Sequence, residues 1–76
     1  MSESIIAMRS QTIAVKAVKL LSRHGIRCRL VSVDPSLTSH GCSFGVAIDS
    51  HEVIKAEKLL DMGKINYGEV LGPRVQ

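Results

Sequence analysis

Cysteine and histidine are the side chains here best suited to nucleophilic or proton-carrying work near neutral pH. The 76-residue chain has two of the first and three of the second. One of each falls in a single stretch, Leu37-Thr38-Ser39-His40-Gly41-Cys42-Ser43-Phe44-Gly45. Asp34-Pro35 stops the apolar run before it and Phe44 begins the next, so the stretch reads as a loop joining two strands. A small, polar, glycine-lined loop can present the Cys42 thiol to solvent or to a partner. A thiolate there could attack sulfur, and His40 could add positive charge or shuttle a proton. The plainer reading is a small loop residue without chemistry. Cys28 falls inside an alternating apolar run and reads as a core residue. His24 and His51 read as helix-end residues, so three scattered histidines make no metal site.

The elements that must hold this loop are legible from periodicity. Ser4 to Met8 is a short apolar run, a strand covered on both faces. Ser10 is a good cap for a helix beginning at Gln11. Ile13, Ala17 and Leu21 recur every four residues, and Gly25 supplies a left-handed stop. From Ile26 to Val33 apolar residues alternate with Arg27 and Arg29, as in a half-buried strand. Phe44, Val46 and Ile48 share one face of the next strand, with Gly45 and Ala47 on the other. Ser50 then reads as the cap of a second helix with Val53, Ala56 and Leu60 along its apolar stripe. Gly63 ends that helix, and Asn66 to Leu71 reads as the last strand.

An internal repeat supports the division. Lys16-Ala17-Val18-Lys19-Leu20-Leu21-Ser22 aligns without gaps to Lys55-Ala56-Glu57-Lys58-Leu59-Leu60-Asp61, with five of seven positions identical. Strand–helix–strand, twice, is the order of the ferredoxin-like split βαβ motif. The expectation is therefore a βαββαβ sandwich: a four-stranded antiparallel sheet with two helices on one face. That topology puts the loop carrying Cys42 at the same end of the sheet as the Arg9-Ser10 junction. Free N–H groups at the helix start, with Arg9 beside them, would stabilise an anion such as a thiolate.

Composition bounds the rest. The length suits one small domain over residues 1–76, with a core of about 4–71 and a tail of 72–76. No apolar run approaches the roughly 18 residues of a membrane span, and Met1-Ser2-Glu3-Ser4 lacks the basic segment of a signal peptide. The cytoplasm is the expected location, with both thiols reduced. Up to Val33 six basic residues face Glu3 alone, whereas the remainder has four basic and six acidic. A solvated helix face with arginines guarding an edge strand accounts for this, and a surface for an anionic partner is the alternative. Metal-carrying ferredoxin-like domains present paired cysteines after the first strand, and Met8 to Thr12 has none. RNA-recognition domains need aromatic platforms, and Phe44 alone does not make one.

The pattern Ser10-x-x-x-Ala14-x-Lys16-Ala17-x-Lys19-Leu20-Leu21, Gly25-Ile26, and Asp34-Pro35-x-Leu37-Thr38-x-x-Gly41-Cys42-x-x-Gly45-x-Ala47-Ile48 resembles a family of small bacterial domains described as selenium/sulfur carrier-like proteins. Members often carry an aromatic residue and a histidine where this chain has Met8 and Gln11-Thr12. The resemblance implies a carrier rather than a stand-alone enzyme. Cys42 would hold the chalcogen as a persulfide or selenopersulfide, and the supporting residues are those that the loop and the topology, rather than the resemblance, place near it: Arg9, Ser10, His40, Gly41 and Ser43. It implies a donor protein and an acceptor enzyme as partners, and calls for no cofactor. The alternative is an interaction or small-molecule-sensing module. In either case the apolar first strand suggests a homo-oligomer that covers the helix-free sheet face.

Overall fold

Glu3 to Met8 forms a strand whose apolar part, Ile5 to Met8, is buried or half-buried on both faces. The computed structural model describes residues 2–39 and 41–73. In chain order the elements are β1 (Glu3–Met8), α1 (Gln11–Arg23), β2 (Cys28–Ser32), β3 (Phe44–Asp49), α2 (Val53–Met62) and β4 (Val70–Leu71). Short 3₁₀ turns occupy Pro35–Leu37 and Ser50–Glu52. The four strands make one antiparallel sheet in the order β2-β3-β1-β4. Ile6 and Met8 of β1 and Val46 and Ile48 of β3 meet Ala14, Ala17 and Leu21 of α1 and Val53, Ala56 and Leu60 of α2 in one core. This is the ferredoxin-like α+β arrangement expected from the repeat.

The repeat is physical as well as textual. Ala17 and Leu21 in α1 and their counterparts Ala56 and Leu60 in α2 are all fully buried. Each buried leucine contributes about 1.5–3 kcal/mol relative to exposure. The two helices also end alike. Ile26 N–H bonds Leu21 O and Gly25 N–H bonds Ser22 O, while Ile65 N–H bonds Leu60 O and Lys64 N–H bonds Asp61 O. Both pairs are Schellman closures, which need a left-handed residue. Gly25 takes it at φ 81°, and Lys64 takes it at φ 58° in the second copy. Gly63 is thus the C-cap of α2, but the left-handed turn falls on Lys64.

Two expected details change. Asp49, not Ser50, caps the turn into α2, through a bond from His51 N–H at 2.8 Å. That bond, then the His51 side chain, holds the Asp49 carboxyl below its ordinary range. Ser50 is buried instead, with its Oγ 2.8 Å from Ser4 Oγ. Ser4 gives its one hydroxyl proton to Pro73 O at 2.6 Å, so Ser50 donates to Ser4. The last strand is also shorter than Asn66–Leu71. Gly68 N–H donates to Ala7 O at 2.7 Å while Ala7 N–H donates to Glu69 O at 2.8 Å. Two residues thus face one, the bonding of a β-bulge, and the regular ladder is confined to Val70–Leu71.

The chain's own side chains cover part of the helix-free face. Ala7 and Ala47 are buried there. A Cβ at Gly45 would lie 2.6 Å from Ile5 Cγ2 and 2.9 Å from Val33 Cγ2, so the two branched side chains meet over the bare glycine. Arg29 reaches across β3 to Glu3 in a bidentate pair of 2.6 and 2.9 Å. That pair raises the Arg29 pKa, first by hydrogen bonding and then by charge attraction. Arg29 of the edge strand β2 therefore acts partly as cover. Gly45→Ala overpacks this face and should lower stability by about 1–3 kcal/mol in denaturant unfolding. Lys64→Gly removes a strained conformation and should raise stability by up to about 1 kcal/mol in the same measurement.

Candidate functional site

The site begins with how β3 is entered. Met8 pairs with Phe44 and Ser32 pairs with Phe44 from the other side, so the loop before β3 leaves the sheet beside the β1–α1 junction. Val33 N–H donates to Ser43 O at 2.9 Å and extends that pairing by one residue. Cys42 follows at the sheet end where Arg9 and Ser10 leave β1, the end that topology assigned to it.

The loop itself is fastened by short-range bonds. Asp34 accepts from Ser36 N–H at 3.0 Å and from Ser36 Oγ at 2.9 Å, which caps the turn Pro35–Leu37. The backbone bond and then the hydroxyl bond hold the Asp34 carboxyl below its ordinary range. Thr38 Oγ1 donates to Pro35 O at 3.3 Å and accepts the Cys42 N–H at 2.7 Å. Ser39 N–H donates to Glu69 Oε1, which ties the loop to the bulged segment before β4. That segment is itself anchored to α2 by Tyr67 OH, which donates to Glu57 Oε2 at 3.2 Å.

Cys42 is more enclosed than a glycine-lined loop implies. It is 4% exposed, although its neighbours Gly41 and Ser43 are exposed. The expectation of a solvent-presented thiol is corrected here. The loop folds back against the bulge, and the thiol packs beside Gly68, whose position for a Cβ lies 3.5 Å from Cys42 Sγ. Cys42 stands apart from the cluster between sheet and helices. It is a free cysteine, as is Cys28.

The other expected site residues divide. Ser10 caps α1, and its hydroxyl is committed to Ile13 N–H at 3.2 Å. Arg9 is exposed at the same end, and among the described residues no hydrogen bond joins either of them to Cys42. Gly41 supplies a left-handed turn at φ 66°. His40 lies outside the described residues. Cys28 is half-buried, with its thiol directed at Val18 O at 3.7 Å. Thr38, Gly68 and Glu69 were not legible as site residues. A lone glycine inside an apparent strand does signal a bulge or a close backbone approach, and Gly68 is both.

No group of three or more His, Cys, Asp or Glu side chains comes together as metal ligands would among the described residues. No helix among them is long and apolar enough to cross a membrane.

The βαββαβ order, with one antiparallel sheet and two helices, defines a ferredoxin-like domain, and the enclosed free thiol of Cys42 lies in the loop before β3. A family model described as "Putative Se/S carrier protein-like" matches residues 3–71, and the chain belongs to that family. No curated protein and no solved structure matches it.

The hydroxyl of Thr38 gives the loop a testable fastening. Thr38→Val leaves the Cys42 N–H without its acceptor, at a cost of about 1 kcal/mol to the closed loop. Alkylation of Cys42 by iodoacetamide should then rise about fivefold if the loop must open first, whereas Thr38→Ser should react at the native rate.

Proposed function

We propose that the protein carries sulfur or selenium on Cys42 as a persulfide or selenopersulfide. The observation that carries this reading is a family match over nearly the whole chain, joined to a free thiol in the loop that closes one end of the sheet. The Cys42 thiolate attacks the outer sulfur of a donor persulfide, the S–S bond of the donor breaks, and the donor's cysteine leaves as its thiolate. Charge and atoms balance, and no metal or second cysteine takes part. The acceptor enzyme removes the same atom by the reverse exchange. Arg9, exposed where β1 ends, supplies positive charge to the approaching anionic persulfide. A reducing compartment such as the cytoplasm keeps the thiol free between cycles.

Burial of Cys42 favours a gated carrier. Closed, the loop shields a persulfide from stray thiols and oxidants. A partner that competes for the Thr38 and Glu69 bonds opens it. Cys28 cannot resolve the persulfide as an internal disulfide. It pairs with Ile48, four residues along β3 from Phe44, or about 13 Å of strand before Cys42 is reached. Disulfide geometry needs Cα atoms within about 7 Å.

Intact-mass measurement on protein purified without reductant tests the reading. A fraction should be heavier by one sulfur or one selenium atom, and reductant should remove it. Cys42→Ser should abolish the heavier species and Cys28→Ser should preserve it. A heavier species that survives Cys42→Ser would sink the proposal.

A further inference from the structure

Strand β2 ends the sheet, so only its β3 side is paired. Val33 N–H donates to Ser43 O at 2.9 Å, which makes Val33–Ser43 a hydrogen-bonded pair of the antiparallel ladder. Such pairs alternate, so Val31–Gly45 and Arg29–Ala47 bond in the same way. The N–H and C=O groups of Cys28, Leu30 and Ser32 therefore point outward, and among the described residues no other backbone takes them. The flank of this edge is apolar close in and basic further out. Cys28 Sγ lies 3.7 Å from Val18 O, which sets α1 beside β2. One turn back from Val18 and two residues on from Cys28, Val15 and Leu30 come level, and they are 36% and 38% exposed. Lys16 and Lys19 border the same shallow depression as Val15. Arg27 stands exposed at the start of β2, on the other side of the edge. These three cations form no ion pair among the described residues, whereas Arg29 is held by Glu3. Helix α1 has no acidic residue, and the acids nearest the ends of β2 are engaged, Asp34 by Ser36 and Asp49 by His51.

We propose that the free edge of β2 docks an extended acidic segment of a partner protein, which adds to the sheet as a further strand. The outward groups of Cys28, Leu30 and Ser32 take the backbone of that segment, Val15 and Leu30 take an apolar side chain, and Lys19 and Arg27 meet its carboxylates. The same cations oppose a second copy of this chain, whose edge carries the same charges. Outward backbone groups in strand spacing suit a polypeptide rather than a nucleic acid. Strand β2 also runs on into the loop of Cys42, so a segment laid along it points toward the end of the sheet that holds the thiol. The proposal stands on observations separate from those behind the carrier reading.

The test titrates a capped peptide of alternating glutamate and valine, about eight residues long, into the full chain labelled with ¹⁵N. At saturation the amides of Cys28, Leu30 and Ser32 should exchange with water at least about tenfold more slowly, whereas those of Arg29 and Val31, already bonded to β3, should change little. Lys19→Glu and Arg27→Glu should each weaken binding about threefold to tenfold. Leu30→Pro removes one outward N–H, which an edge strand tolerates, and should abolish binding. The exchange measurement on native protein stands even if that variant does not fold. A peptide with lysine in place of glutamate should not bind, and neither should the acidic peptide methylated on the nitrogens that face β2. Equal binding of the methylated peptide, or slower exchange of the same three amides with a thymidine oligonucleotide, reduces the edge to a cationic patch and overturns the proposal. Slower exchange on raising the protein concentration alone assigns the edge to a second copy and overturns it as well. So does an unchanged native protein at millimolar peptide. None of these outcomes alters the mass measurement on Cys42, so the carrier reading stands or falls separately.

Discussion

Strand β1 is bonded along both edges, and most of the molecule is arranged by that fact. Its register with β3 runs from Glu3–Asp49 to Met8–Phe44, and its other edge takes β4 at Ile5 and Ile6. Ile6, Ala7 and Met8 are fully buried. Buried backbone must find partners, so any segment that passes this strand is held to its spacing. At one end the partner is a bulge, with Gly68 and Glu69 sharing Ala7. At the other, Ser4 binds Ser50 and the Pro73 carbonyl. One strand therefore locates both the loop of Cys42 and the start of α2.

The bulge matters for the site because it turns a strand into a support. A regular ladder would continue the alternation of side chains past Ala7. The extra residue instead places the bare Cα of Gly68 beside Cys42 and leaves the Glu69 side chain to take the Ser39 N–H. The loop is thereby closed by contacts from the far end of the chain. A loop held by a few bonds opens at low cost compared with the sheet beneath it.

The internal repeat accounts for the frame. The halves share buried alanine and leucine positions and the same helix ending, with Gly25 and Lys64 in equivalent places. They differ where the strands meet their helices. After β1 the chain enters α1 directly through the Ser10 cap, and after β3 it makes a 3₁₀ turn capped by Asp49. The first junction is the short one, and it shares its end of the sheet with Cys42.

Periodicity and the repeat were enough to read the fold, because a 3.6-residue stripe and a two-residue alternation leave few ways to bury Leu21, Leu60, Val46 and Ile48 together. The same topology placed the Cys42 loop beside Ser10, since strand order determines which loops share an end. Local pattern could not show that Cys42 is enclosed. Its cover comes from Gly68, twenty-six residues away in sequence, through a bulge that depends on the Ala7 backbone. Nor could it tell that Asp49 rather than Ser50 caps the turn into α2, because the two differ only in what lies beside them. Ser50 has the Ser4 hydroxyl beside it, and Asp49 has the His51 amide. Side-chain type and spacing thus determined the elements and their order, while contacts between distant backbone segments decided which groups around the thiol are enclosed and which are bonded.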